Sequence, residues 1–211
     1  MKRSSFRRDC REKRRDVRTP YLGNYIIVTN TDCTETNYFN GIKNSLPSII
    51  KDSIKIHIYD NIKSCNLIEY AHKLQIENPQ YAKPYIIFDR DQEKEFNGII
   101  NSATQNGITP CWSNPCFEIW LYSYFDKMPN IDTSQKCCDE FSRIFLKLTS
   151  NKYYKNDKDL YKKLVKYGNE TEAIKRANTK FNLDIKKYNN HFNEMIGNST
   201  VFKLVEELKN Y

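Results

Sequence analysis

The sequence predicts an α/β fold, a small parallel sheet flanked by helices and closed by a helical C-terminal cap. Three observations carry that expectation. Two short runs, "YIIV" at 25–28 and "YIIF" at 85–88, are apolar at every position, as strands buried on both faces are. Strand-like runs alternate with segments of helical period, the order that builds parallel sheets through crossover helices. From about residue 130 onward the pattern is helical almost throughout.

Taken in order, "YIIV" empties into "TNTDCTETNYF", and "TETNYFNGIKNSLPSII" reads as a helix starting near Thr34. "SIKIHIYD" alternates apolar and polar side chains over 53–60, a strand pattern. "NLIEYAHKLQIEN" has helical period, and Pro79 and Pro84 punctuate the link to "YIIF", which ends at Asp89. "EKEFNGIINSATQNG" reads as a helix stopped by Gly107, and "ITPCW" as a poorer strand. "PCFEIWLYSYF" follows as a helix opened by Asn114 and Pro115. "SQKCCDEFSRIFLKL", "LYKKLVKYGNETEAIKRANTKF" and "TVFKLVEELKNY" carry apolar residues at i, i+3, i+4 spacing. The expected organisation is a basic arm over 1–20, an α/β core over 21–128, and a helical extension over 129–211 packed on that core.

The 211 residues suit one globular domain, and the mean hydropathy of -0.77 marks a polar chain. No run approaches the roughly 18 apolar residues of a membrane span, and the N-terminus lacks a signal-peptide core. A cytoplasmic protein is expected. The seven cysteines include no CxxC pair, and His57, His72 and His191 lie far apart. That spacing suggests reduced thiols and no zinc centre. The formal charge is +8, but the first 18 residues hold nine Lys/Arg against three Asp/Glu. Arg7, Arg8, Arg11, Arg14, Arg15 and Arg18 suit phosphate contacts on a nucleic acid; a solvated arm explains them as well.

In an open parallel sheet, ligands bind beyond the carboxyl ends of the strands. The first exit offers Asn30, Asp32 and Glu35, the third offers Asp89 and Asp91 in "DRDQE", and the fourth offers Glu118 in "SNPCFE". Acids from three separated segments thus converge on one edge. Hard divalent cations take such oxygen ligands, and Mg²⁺ (or Mn²⁺) keeps waters that a phosphate can displace. Metal-assisted phosphodiester cleavage is the chemistry this favours. Other readings stand beside it. The Asp pair also fits a surface turn, or a phosphotransferase using Asp89 as nucleophile, and Glu118 also fits a first-turn acid facing the helix dipole. Glu35 either reaches a metal or caps its helix. Lys155, with Lys158, Lys162, Lys163, Lys175, Arg176 and Lys180, either marks a phosphate path or a solvated helix face. Tyr153, Tyr154 and Tyr161 either stack on bases or pack.

"VTNTDCTETNYF", "IIFDRDQEKEF", "SNPCFEIWLYSYF" and "NSTVFKLVEEL" resemble, in order and spacing, the RloB family of bacterial abortive-infection proteins. The resemblance implies a Toprim-like fold, with magnesium held by an acid after the first strand and by Asp89 and Asp91. It also implies phage defence, commonly beside an AAA- or ABC-type ATPase partner, and nuclease activity toward DNA or RNA, tRNA included. Lys155 matches a position suited to charge developing on phosphate. One departure stands out. The family pattern "EG..TE..YF" keeps Thr34, Glu35, Tyr38 and Phe39 here, but Asn30 and Thr31 replace the leading acid and glycine. An Asn brings no charge and no general base. Asn30 therefore implies a weakened site, an inactivated one, or one in which Glu35 or Asp32 takes over.

Overall fold

The computed structural model describes residues 25–29, 33–51, 54–58, 64, 66–77, 83–91 and 93–209. Strands β1 (Tyr25–Thr29), β2 (Ile54–Ile58), β3 (Lys83–Asp89) and β4 (Thr109–Asn114) run parallel. The two-residue β5 (Asn198–Ser199) lies antiparallel on β4, giving the order β2-β1-β3-β4-β5. The α/β expectation is met, and the parallel sheet gains an antiparallel edge. Trp112 N donates to Thr200 Oγ1 at 2.9 Å, and Gly197 N donates to Asn114 O at 2.9 Å. These bonds cover backbone that an edge strand otherwise exposes.

Side-chain alternation along the strands builds two cores, one on each face. Tyr25, Ile27, Tyr85, Ile87 and Cys111 point to one face, while Ile26, Val28, Ile86, Phe88 and Trp112 point to the other. The first face is covered by α1 (Thr34–Ser45), α5 (Glu118–Tyr122), α6 (Ser134–Thr149), α7 (Leu160–Tyr167) and α9 (Val201–Lys209). The second is covered by α3 (Asn66–Glu77) and α4 (Phe96–Gln105), with Phe181 and Ile185 of α8 (Glu170–Lys187) against it. A single turn, α2 (Ser48–Lys51), follows α1. No helix among the described residues is long and apolar enough to cross a membrane.

Three expected helices differ in length. The one read from Thr34 ends at Ser45, before Pro47. The one after Pro115 forms regular helix only over Glu118–Tyr122. The long one after Leu160 is two helices, broken at Gly168 and Asn169. A Cβ on Gly168 would lie 2.9 Å from both Leu164 O and Tyr124 Cβ, so only glycine admits this close approach. Asn169 then caps α8, its side chain accepting from Glu172 N at 3.0 Å.

A buried polar chain stitches the helices of the first face. Tyr38 and Tyr124 hydroxyls lie 2.8 Å apart, Tyr124 and Tyr161 both donate to Glu170 Oε1, and Lys209 pairs with Glu170 Oε2 at 3.1 Å. Burial raises the Tyr38 and Tyr124 phenols well above the usual range and pushes the Cys111 thiol from 9.0 up to about 12. The unfolded chain releases these protons near their ordinary values, while the folded chain keeps them. Their contribution to stability is therefore full below about pH 9 and falls as pH rises toward about 12. Urea midpoints at about pH 7 and about pH 10.5 should show the loss.

Candidate active site

The strand order places a topological switch between β1 and β3. From β1 the chain runs through α1 to β2 on one side, and from β3 it runs through α4 to β4 on the other, over the opposite face of the sheet. Connections that part in this way open a crevice at the carboxyl ends of the two strands. Glu35, in the first turn of α1, and Asp89, the last residue of β3, stand on either side of that crevice. A cleft of about 740 Å³ lies there, and Glu35, Asp89, Asp91, Glu118 and Lys155 all line it.

Asp89 is tied to the fold by one oxygen only. Its Oδ2 accepts from Phe117 N at 3.0 Å, at the start of α5. Its Oδ1 is buried and has no hydrogen-bond partner among the described residues. A buried carboxylate oxygen with nothing to accept is costly unless a cation meets it. Burial, then the negative charges of Glu35 and Glu118, hold the Asp89 carboxyl well above the usual carboxylate range. The Phe117 N–H and the Lys155 charge pull the other way without prevailing. Oxygen ligands in a concentrated negative field are what Mg²⁺ or Mn²⁺ requires, so these residues fit such an ion.

Asp91 sits in a different setting. Its backbone has φ 28, and its N–H donates to Pro115 O at 2.9 Å, which folds the 89–91 turn over the end of β4. The side chain is exposed and accepts from Ser134 Oγ at 2.8 Å, so it approaches the cleft from the α6 side.

Glu118 is buried at the first position of α5, yet it has partners. Tyr153 donates to its Oε1 at 2.8 Å, and Lys155 Nζ lies 3.4 Å from the same atom. Burial pushes this carboxyl up, but the Lys155 charge and the Tyr153 hydroxyl outweigh it and leave it below the ordinary value. Burial likewise pulls the Lys155 ammonium down, and Glu118 overrides this to raise it. Lys155 thus keeps its charge at the rim, with its side chain 59% exposed.

The segment carrying Tyr153 and Lys155 is pinned to α1. Thr34 Oγ1 lies 3.2 Å from the Tyr153 hydroxyl and donates to Lys155 O at 3.4 Å. The Tyr153 ring packs edge-on against Phe141 at 4.8 Å. Tyr153 is therefore a positioning residue, half-buried against the core, Tyr161 is buried, and of the three tyrosines Tyr154 alone is well exposed, at 58%. Burial takes Tyr161 out of reach of a base, and its hydrogen bonds to Thr34 and Glu118 give Tyr153 a packing role.

Several of the basic residues read as a phosphate path have structural partners. Lys162 pairs with Asp159, Lys163 with Asp157 and Lys180 with Asp184, while Arg176 donates to Ser123 O. Arg90 and Lys94 instead line the cleft. Both stand in "DRDQEK", among the acids at the exit of β3. Asn30, Asp32 and Arg7, Arg8, Arg11, Arg14, Arg15 and Arg18 lie outside the described residues.

Among known families, a model described as RloB-like protein matches residues 25–208, nearly the whole of the described chain. No curated protein and no solved structure matches the chain.

Proposed function

We propose that this chain, which belongs to the RloB-like family, is a divalent-metal-dependent phosphodiesterase that cleaves a nucleic acid in phage defence, beside an ATPase partner. The observation that carries the chemistry is the buried Oδ1 of Asp89, without a partner among the described residues, in a residue that lines a cleft with Glu35 and Glu118. Glu35, Asp89 and Asp91 are the residues that would hold Mg²⁺ or Mn²⁺. Such an ion polarises a phosphoryl oxygen and lowers the pKa of bound water. The chain's own cations then act on the phosphodiester. Arg90 and Lys94 give the backbone phosphates of the substrate a docking surface in the cleft. Lys155, kept charged by Glu118, stabilises negative charge developing on the phosphoryl group. Glu118 does not reach the phosphate in this reading; it orients Lys155 and deepens the field around Asp89. The N-terminal arginines extend the contact along the substrate backbone.

The test is a panel of tRNA, single-stranded RNA and plasmid DNA incubated with the full chain in Mg²⁺, in Mn²⁺ and in chelator. Cleavage restricted to the metal-containing reactions supports the reading; no cleavage of any member in either metal counts against it. A second reading follows from Asn30, which stands where the family pattern has an acid. In that reading the protein binds nucleic acid or its ATPase partner without cutting. Asn30→Glu separates the two. It is expected to raise cleavage by at least about tenfold if the missing carboxylate limits a working site. Unchanged, absent cleavage in both proteins, with nucleic acid still bound, favours the binding module.

A further inference from the structure

Beside the same cleft, which Cys116 and Glu118 line, is a second constellation, of softer chemistry. Cys116 follows β4, Glu118 opens α5, and Cys138 lies in the second turn of α6. The two sulfurs and a Glu118 oxygen all lie within 4.8 Å of one another. Cys116 and Glu118 are buried, and Cys138 is half-buried. Two thiols and a carboxylate at this separation are within small side-chain adjustments of the tetrahedral edges that bonds of roughly 2.0–2.3 Å to a central ion require. Neither sulfur belongs to a disulfide. The neighbouring Cys137 is instead packed in the core.

We infer that Cys116, Cys138 and Glu118 form a binding site for Zn²⁺, separate from the oxygen site at Asp89. Thiolate ligands select a borderline-soft ion over Mg²⁺, so the two sites discriminate between cations by donor type. Zinc binding displaces one proton from each thiol to solvent and leaves a fourth position for water. Glu118 is the shared element. Its Oε1 is the atom that Tyr153 and Lys155 hold, and a carboxylate that shares its charge with zinc attracts the Lys155 ammonium less. Zinc therefore loosens Lys155 from its anchor and slows cleavage. That regulatory consequence rests on the proposed phosphodiesterase; the binding site itself does not.

The experiment titrates the full, chelator-stripped and reduced chain with Co²⁺ as a spectroscopic probe, then with Zn²⁺ as competitor. One equivalent of Co²⁺ is expected to give thiolate-to-metal charge-transfer absorption that Zn²⁺ abolishes. Cys138→Ser and Cys116→Ser should each remove the band, and Glu118→Gln should weaken Co²⁺ binding at least about tenfold. Asp89→Asn and Cys33→Ser should keep it. Cys138→Ala, at the half-buried position, serves as a second variant should Cys116→Ser fail to fold. Absence of the band in the wild-type chain, its survival in both Cys138 variants, or its loss in Cys33→Ser overturns the site. If the band behaves as expected but one equivalent of Zn²⁺ leaves cleavage unchanged, the inhibitory consequence is overturned. The optical titration gives the same answer if the chain cleaves nothing.

Discussion

Asp89→Asn should cut metal-dependent cleavage by at least about a hundredfold while leaving the protein as stable as before or more so. The two halves of that expectation have one cause. Asp89 supplies the buried, unpartnered oxygen of the site and stands in the negative field of Glu35 and Glu118. Removing a ligand's charge weakens an ion more than loss of an outer hydrogen bond, which already costs about 10–100-fold. In the absence of metal, however, that charge is a liability, since it is buried beside two others of its own sign. An amide is nearly isosteric and carries no charge. Thermal melts in chelator are thus expected to show an unchanged or raised Tm for Asp89→Asn, and isothermal titration with Mn²⁺ to show the lost affinity. A variant that melts lower and still binds Mn²⁺ would make Asp89 a structural acid and move the metal elsewhere.

The largest effect on stability is expected from Phe141→Ala. Phe141 is fully buried on α6 and touches Phe125, Phe145 and Tyr153 at ring separations of 6.5, 5.5 and 4.8 Å. Truncating such a ring costs about 3–5 kcal/mol through lost burial and the cavity left behind. For a chain of this size that corresponds to a fall in Tm on the order of 10 °C. Phe141→Leu should cost less, about 1–2 kcal/mol, because it refills most of the space. The ring also sets the position of Tyr153, which holds Glu118. Cleavage by Phe141→Ala, measured well below its Tm, should fall several-fold with substrate affinity little changed. Equal activity in that regime would separate the aromatic packing from the site.

Much of this architecture was readable along the chain, because burial writes itself as periodicity. Tyr25–Val28 and Tyr85–Phe88 are apolar throughout since each faces a core on both sides. Asp89 and Glu118 could be singled out because a strand exit and a helix start are local features. What escaped depends on contacts between distant residues. Thr34 meets Tyr153 across 119 positions, and nothing near either one announces it. β5 is two residues long and has no period to detect. Gly168, just past α7, is hemmed in by Leu164 O and by Tyr124, and the second of these contacts belongs to tertiary packing. Cys116 and Cys138 come from two different elements, so no short spacing motif marks them. Asp91 shares a DxD pair with Asp89, but its bond from Ser134 of α6 spans 43 positions and leaves no local mark.

Synthesis runs from the first residue to the last, and the cleft draws on both early and late parts of the chain. A ribosome that has released residues up to 128 has already exposed Glu35, Asp89 and Glu118. It has not yet made Ser134, Tyr153 or Lys155, and the backbone of Trp112 and Asn114 still lacks its partners near residues 197–200. The acids are thus present well before the lysine and the sheet edge that complete their surroundings. Whatever chemistry the cleft carries is therefore withheld until the later codons have been read, and the direction of translation sets that delay.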